Sequence, residues 1–154
     1  MKSLSRLLSL IALLLAGASA HAAAETPAAA PKPEKAETEL TRTMDKVNAA
    51  YRKLRKQAGD AAQNAGSLAL VATIREHIVA AAKLEPFKLT EIPAAGRPKM
   101  LEGYRAKMKE LLATIGELEA ALKAGHNGEA ANLVEAMKAL QKEGHKEYKS
   151  KSID

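Results

Sequence analysis

Residues 98–149 read PKMLEGYRAKMKELLATIGELEAALKAGHNGEAANLVEAMKALQKEGHKEYK. In the first part Met100, Leu101, Tyr104, Met108, Leu111, Leu112, Ile115, Leu118 and Leu122 recur in steps of three and four, the spacing of one helical face. Pro98 sits where proline is favoured, in the first turn, so a helix is predicted over residues 98–124. Gly125-His126-Asn127-Gly128 closes it, and Ala130, Leu133, Val134, Met137, Leu140 and Tyr148 form a second stripe over residues 127–149. A connection this short makes the two helices antiparallel neighbours.

The same period extends back along the chain. Leu40, Met44, Val47, Tyr51, Leu54 and Ala58 mark a first helix, with Thr38 or Thr41 as its cap and Gly59-Asp60 as its stop. Beyond the polar turn Gln63-Asn64-Ala65-Gly66, residues 67–84 carry Leu70, Val71, Ile74, Ile78, Ala81 and Leu84, and Pro86 ends that helix. Residues 85–98 hold three prolines and a glycine together with Phe87, Leu89 and Ile92, which reads as a crossing loop with apolar anchors. No segment alternates with period two. The expected fold is all-α, an antiparallel up-down-up-down four-helix bundle over residues 38–154.

Composition narrows the chemistry. With 154 residues there is one domain, and 47% hydrophobic against 3% aromatic residues means a core built mainly from Ala, Leu, Ile, Val and Met. The absence of cysteine excludes disulfides, Cys-ligated zinc or iron–sulfur sites, a thiol nucleophile, and the C-x-x-C-H attachment of covalently bound haem. There is no triad signature, Gly-rich phosphate loop, H-E-x-x-H or di-iron E-x-x-H pair, so no enzymatic activity is expected.

Residues 1–20, MKSLSRLLSLIALLLAGASA, have the form of a secretory signal peptide: Lys2 and Arg6, an apolar run from Leu7 to Ala16, and Ala18-Ser19-Ala20 before a cut after Ala20, Ala22 or Ala24. Residues 21–37 are an Ala/Pro-rich solvated linker. Loss of Lys2 and Arg6 lowers the formal charge of +6 by two, which does not suggest nucleic-acid binding. Export without cysteines favours a periplasm, with no stable membrane insertion after cleavage and a monomer as the expected state.

The four histidines divide into two pairs. His21 lies at the processing site and His126 in a turn, whereas His77 and His145 return to apolar stripes. A histidine or methionine on such a face is ordinarily a packing residue. Met44 and His145 together suggest more. In an antiparallel bundle the start of the first helix and the end of the fourth share one end, and at 1.5 Å per residue these two differ in height by roughly 2 Å. A thioether and an imidazole facing each other suit the two axial positions of a non-covalent haem.

On these residues the chain resembles the soluble periplasmic cytochrome b562 family over about residues 38–150. The carriers are Glu39-Leu40-Thr41-Arg42-Thr43-Met44, Glu85-Pro86-Phe87-Lys88-Leu89, Pro98-Lys99-Met100, Gly128-Glu129-Ala130 and Gly144-His145-Lys146-Glu147-Tyr148. The resemblance puts the axial ligands on Met44 and His145. It implies a b-type haem (iron protoporphyrin IX) at one end of the bundle with its propionates towards solvent, and one-electron transfer to an unidentified redox protein. Val47, Ile74, Phe87, Tyr104 and Met108 are the expected walls, and Gly144 leaves room beside the ligand. The chain departs from the family pattern at Gln141 or a neighbouring lysine, one of which stands where the family has an arginine, at Tyr104 and Met108 in place of phenylalanines, and in a shorter turn between helices three and four.

Three alternatives stay open at this level. His77 in place of Met44 gives bis-His ligation; a haem-free periplasmic bundle has a binding or stress-related role; and a metal-binding bundle uses His77, His145 and a glutamate.

Overall fold

The computed structural model describes residues 38–151. The signal peptide expected over residues 1–20 and the linker over 21–37 lie outside the described residues. Four helices, α1 (Glu39–Gln57), α2 (Asn64–Ala81), α3 (Arg97–Ala124) and α4 (Asn127–Tyr148), make the expected all-α bundle, and no strand occurs among the described residues. None of these helices is long and apolar enough to cross a membrane.

Local chemistry sets the helix ends. The Thr38 hydroxyl accepts the Thr41 amide at 3.0 Å and caps α1. Gly125 closes α3 at φ 74°, with the Gly125 amide donating to Leu122 O and the His126 amide to Ala121 O, so a left-handed residue ends the helix and satisfies two of its last carbonyls.

Helix α2 is displaced from expectation. It starts at Asn64, behind a single 3-10 turn over Ala61–Gln63, and stops at Ala81, where bonds from Lys83 to Ala80 O and from Leu84 to Ala81 O tighten the chain ahead of Pro86. The polar turn is helical because tertiary contacts claim it. Asn64 Nδ2 donates to Leu122 O at 3.2 Å, and Asn127 Nδ2 donates to Asn64 Oδ1 at 2.6 Å and to Ala58 O at 2.9 Å. This network closes the end of the bundle where α1 and α3 finish. The loop after α2 contains two short 3-10 turns, Phe87–Glu91 and Ala94–Gly96, with Leu89 buried beneath.

The dry core is offset towards that closed end. It contains Val47, Leu54, Val71, Ile74, Ile78, Ile115, Leu118, Leu122, Ala130, Val134 and Met137, none more than 6% exposed. Towards the other end, Met44, Met108 and Leu111 are only partly buried against it. Helix α1 packs chiefly on α2, and α4 on α3, while of the neighbouring pairs α1 and α4 pack least closely. The bundle is therefore fully packed along part of its length and open along the α1–α4 seam at the other end.

Candidate functional site

A cavity of about 340 Å³ occupies the end where the core thins. The first half of α1 supplies Leu40, Met44, Val47 and Asn48. The start of α3 supplies Tyr104, Met108 and Leu111, the end of α4 supplies Leu140, Gln141, Gly144, His145 and Tyr148, and Pro86 and Phe87 come from the loop. Partly exposed apolar surface costs free energy of about 25 cal/mol per Å² left in water. A surface of this kind gathered into one concavity is the usual form of a small-molecule or cofactor site.

Helix α1 contributes through its period. Leu40, Met44, Val47 and Tyr51 lie three or four apart, and all four line the cavity. On α4 the same period carries Gln141, Gly144, His145 and Tyr148 there. Because the helices run antiparallel, Met44 near the start of α1 and His145 near the end of α4 line one cavity. Gln141 Nε2 bonds Asn48 Oδ1 at 2.7 Å across the seam, and the Tyr51 hydroxyl donates to Val134 O at 3.1 Å.

Of the residues predicted from sequence, Met44, His145, Val47, Phe87, Tyr104 and Met108 all line this cavity. Ile74 does not. It is fully buried in the core, and no residue of α2 reaches the cavity wall. Tyr104 accounts for this: its side chain is 2% exposed, its hydroxyl donates to Ala81 O at the end of α2 at 2.8 Å, and its ring forms the wall on that side. His77, on α2, is half-buried and also lies outside the lining. Among the described residues no group of three or more His, Asp or Glu is arranged to hold a metal ion, so the arrangement of His77, His145 and a glutamate is not found.

Sequence reasoning missed Asn48, Gln141, Lys107 and Tyr148 as members of the wall. The signal for Asn48 and Gln141 was present, since each is four residues from Met44 or His145 on the same helix.

Electrostatics separate the rim from the wall. Lys107 lies 2.8 Å from Glu110 and 3.2 Å from Glu143, and hydrogen bonds to these carboxylates hold its ammonium charged well beyond the usual lysine range. Burial pushes the Tyr104 phenol up to about 12, so it remains a neutral hydrogen-bond donor. Burial, assisted by Glu147, also raises Tyr148, whose ring meets Tyr104 edge-on at 5.6 Å and 73°. The lining is mostly apolar, with Asp45, Lys107 and Lys149 as its charged members.

Fold and site together define a class: a four-helix bundle with a mostly apolar end cavity to which the first helix brings the Met44 thioether and the last helix the His145 imidazole. The family model described as Cytochrome b562 matches residues 39–149. The chain belongs to the cytochrome b562 family, whose members are haem-binding proteins of electron-transfer type. No curated protein and no solved structure matches it.

Proposed function

We propose that the protein is a periplasmic electron carrier, not an enzyme, that binds a b-type haem non-covalently through Met44 and His145. The observation that carries this reading is that a methionine and a histidine far apart in the chain line the same apolar cavity in a family of haem-binding proteins. A chain without cysteine has no thiol for covalent attachment, so retention falls to the two ligands and the walls.

The residues present suit the group. Met44 offers a soft sulfur, His145 an imidazole, and Val47, Phe87, Tyr104 and Met108 an apolar surround, while Gly144 leaves Lys107 Cγ as the nearest atom, 3.9 Å from where its Cβ would stand. When bound, haem supplies a single-electron iron couple. Met44 and His145 would hold the iron, which would disfavour oxygen binding, and a Met/His pair would favour a higher potential than two imidazoles. The mostly apolar lining would limit water at the iron, and the Lys107 ammonium is matched by Glu110 and Glu143. Export to the periplasm rests on the signal-peptide pattern of residues 1–20.

Titration of the purified mature protein with haemin, read in both oxidation states, tests the reading. A sharp low-spin spectrum on reduction is expected in the wild type and its loss in His145→Ala. No such spectrum in the wild type would falsify the haem reading, and its persistence in His145→Ala would remove His145 as ligand.

A further inference from the structure

The excess positive charge is confined to one half of the molecule. Cut at the midpoints of the four helices, the half containing the cavity carries fifteen Lys and Arg against nine Asp and Glu, while the closed half carries five of each. All of the described bundle's net charge therefore lies at the cavity end.

Within that half, part of the excess gathers on one face. Each helical residue turns the chain by about 100° relative to the one before. On α1, Arg42 and Lys46 follow the cavity-lining Thr41 and Asp45; on α4, Lys138, Lys142 and Lys146 follow Met137, Gln141 and His145. The helices run antiparallel, as the pairs Asn48–Gln141, Tyr51–Val134 and Ala58–Asn127 show. One step from the cavity thus carries all five cations to the same side of the seam. All five are exposed, so that side is the outer α1–α4 face, beside the cavity. Glu39 and Asp45 offset Arg42 and Lys46 on α1, Glu135 lies 3.8 Å from Lys138, Glu143 turns to Lys107 of α3, and the start of α3 adds Arg97, Lys99, Arg105 and Lys109 against Glu102 and Glu110, so this face holds part of the excess.

We infer that this outer α1–α4 face, carrying Arg42, Lys46, Lys138, Lys142 and Lys146, is the docking surface for an acidic redox protein. The inference rests on the proposed electron-transfer role. Its warrant is that a net positive field beside the cavity raises association rates and orients the partner towards the site where the electron must leave.

The test uses the mature full chain and a reduced acidic plant-type [2Fe–2S] ferredoxin as probe. Reduction of the haem-loaded protein is followed by stopped flow at ionic strengths of about 0.01 and 1 M, where charges are felt over roughly 30 and 3 Å. The rate is expected to fall at least about tenfold at high salt, and K138E/K142E/K146E to be slower than wild type by a similar factor at low salt. K53E/R55E/K56E, which removes the same charge from the closed half, is expected to stay within about twofold of wild type. Equal slowing in both triple variants, or in neither, overturns the inference. So does binding of the wild type to phosphatidylglycerol vesicles that K138E/K142E/K146E loses while its ferredoxin rate is unchanged, since the face would then serve a membrane. Calorimetric binding of oxidised ferredoxin to the haem-free protein, with the same variants, reads the surface separately. Failure of haem binding and failure of docking are thereby distinguished.

Discussion

Gln141 on α4 donates a 2.7 Å hydrogen bond to Asn48 on α1 and so ties the last helix to the first across the wall of the cavity, at the least closely packed seam between neighbouring helices. The contact is polar where most of the wall is apolar, and it spans the one boundary of the bundle not sealed by close packing. Gln141→Ala is expected to lower the unfolding free energy of the haem-free protein by about 1 kcal/mol, as for an ordinary side-chain hydrogen bond. Urea denaturation measures this, and the haem dissociation rate should rise in parallel. An unchanged denaturation midpoint would show that the tie contributes nothing.

Gly103 on α3 has a second constraint. A Cβ there would stand 2.8 Å from the Tyr148 hydroxyl, while the ring carbon behind it lies at an ordinary 3.8 Å. Tyr148 is also held edge-on against Tyr104. Ala is favoured over Gly within a helix by about 1 kcal/mol, and the clash opposes that gain. Gly103→Ala should therefore stabilise the Tyr148→Phe variant by about 1 kcal/mol more than it stabilises wild type. Equal effects in the two backgrounds, measured as a double-mutant cycle, would show that Tyr148 is not what keeps this position a glycine.

The helices were legible because their apolar residues repeat with one period: the structural α1, α3 and α4 begin and end within a residue or two of the sequence reading. Helix α2 was misplaced at both ends because its polar start is fixed by Asn64 and Asn127, far apart in sequence, which local pattern cannot reveal. The same limit explains the site. Periodicity and helix order put Met44 and His145 at one end, but nothing local to α2 indicates that Tyr104 closes it off, so Ile74 and His77 looked as eligible as Phe87. Cross-seam partners such as Asn48 and Gln141 are visible only once the antiparallel register is known.

Burial of Tyr104 sets a pH dependence. Its phenol is raised from 10.0 to about 12 in the folded state. Below pH 10 both states keep the proton and the contribution is complete. Between 10 and 12 the unfolded chain releases a proton that the native state retains, so stability falls as pH rises. Denaturation between pH 9 and 12 should show this decline, and Tyr104→Phe should make it shallower. Tyr51 and Tyr148, also raised by burial, leave a residual slope. An identical slope in Tyr104→Phe would exclude Tyr104 as its main source.

At the closed end, Asn127 holds Ala58 O and Asn64 Oδ1 while Asn64 holds Leu122 O, so loss of either amide leaves partly buried groups without a partner. Asn127→Ala is expected to cost about 1–3 kcal/mol in unfolding free energy. The cavity lies at the other end, so haem affinity of the folded variant should stay near the wild-type value. A comparable loss of haem affinity, measured where the variant is fully folded, would show the two ends to be coupled.

Ile74 and Phe87 test the boundary between core and site. Ile74 is 0% exposed in the dry core, whereas Phe87, the sole phenylalanine, is half-buried on the cavity wall. Ile74→Ala opens a void among side chains that relax only in part, so the haem-free protein should lose about 2–5 kcal/mol of stability. Phe87→Ala removes a ring already partly in water in the haem-free state, so its stability cost should be smaller. With haem bound the ring is one of few aromatic contacts available, and the order should reverse: Phe87→Ala should release haem faster than Ile74→Ala under conditions where both are folded. Urea midpoints without haem and dissociation rates with it give the two rankings. If Ile74→Ala leads in both, stability alone governs haem retention and Phe87 has no particular part in the site.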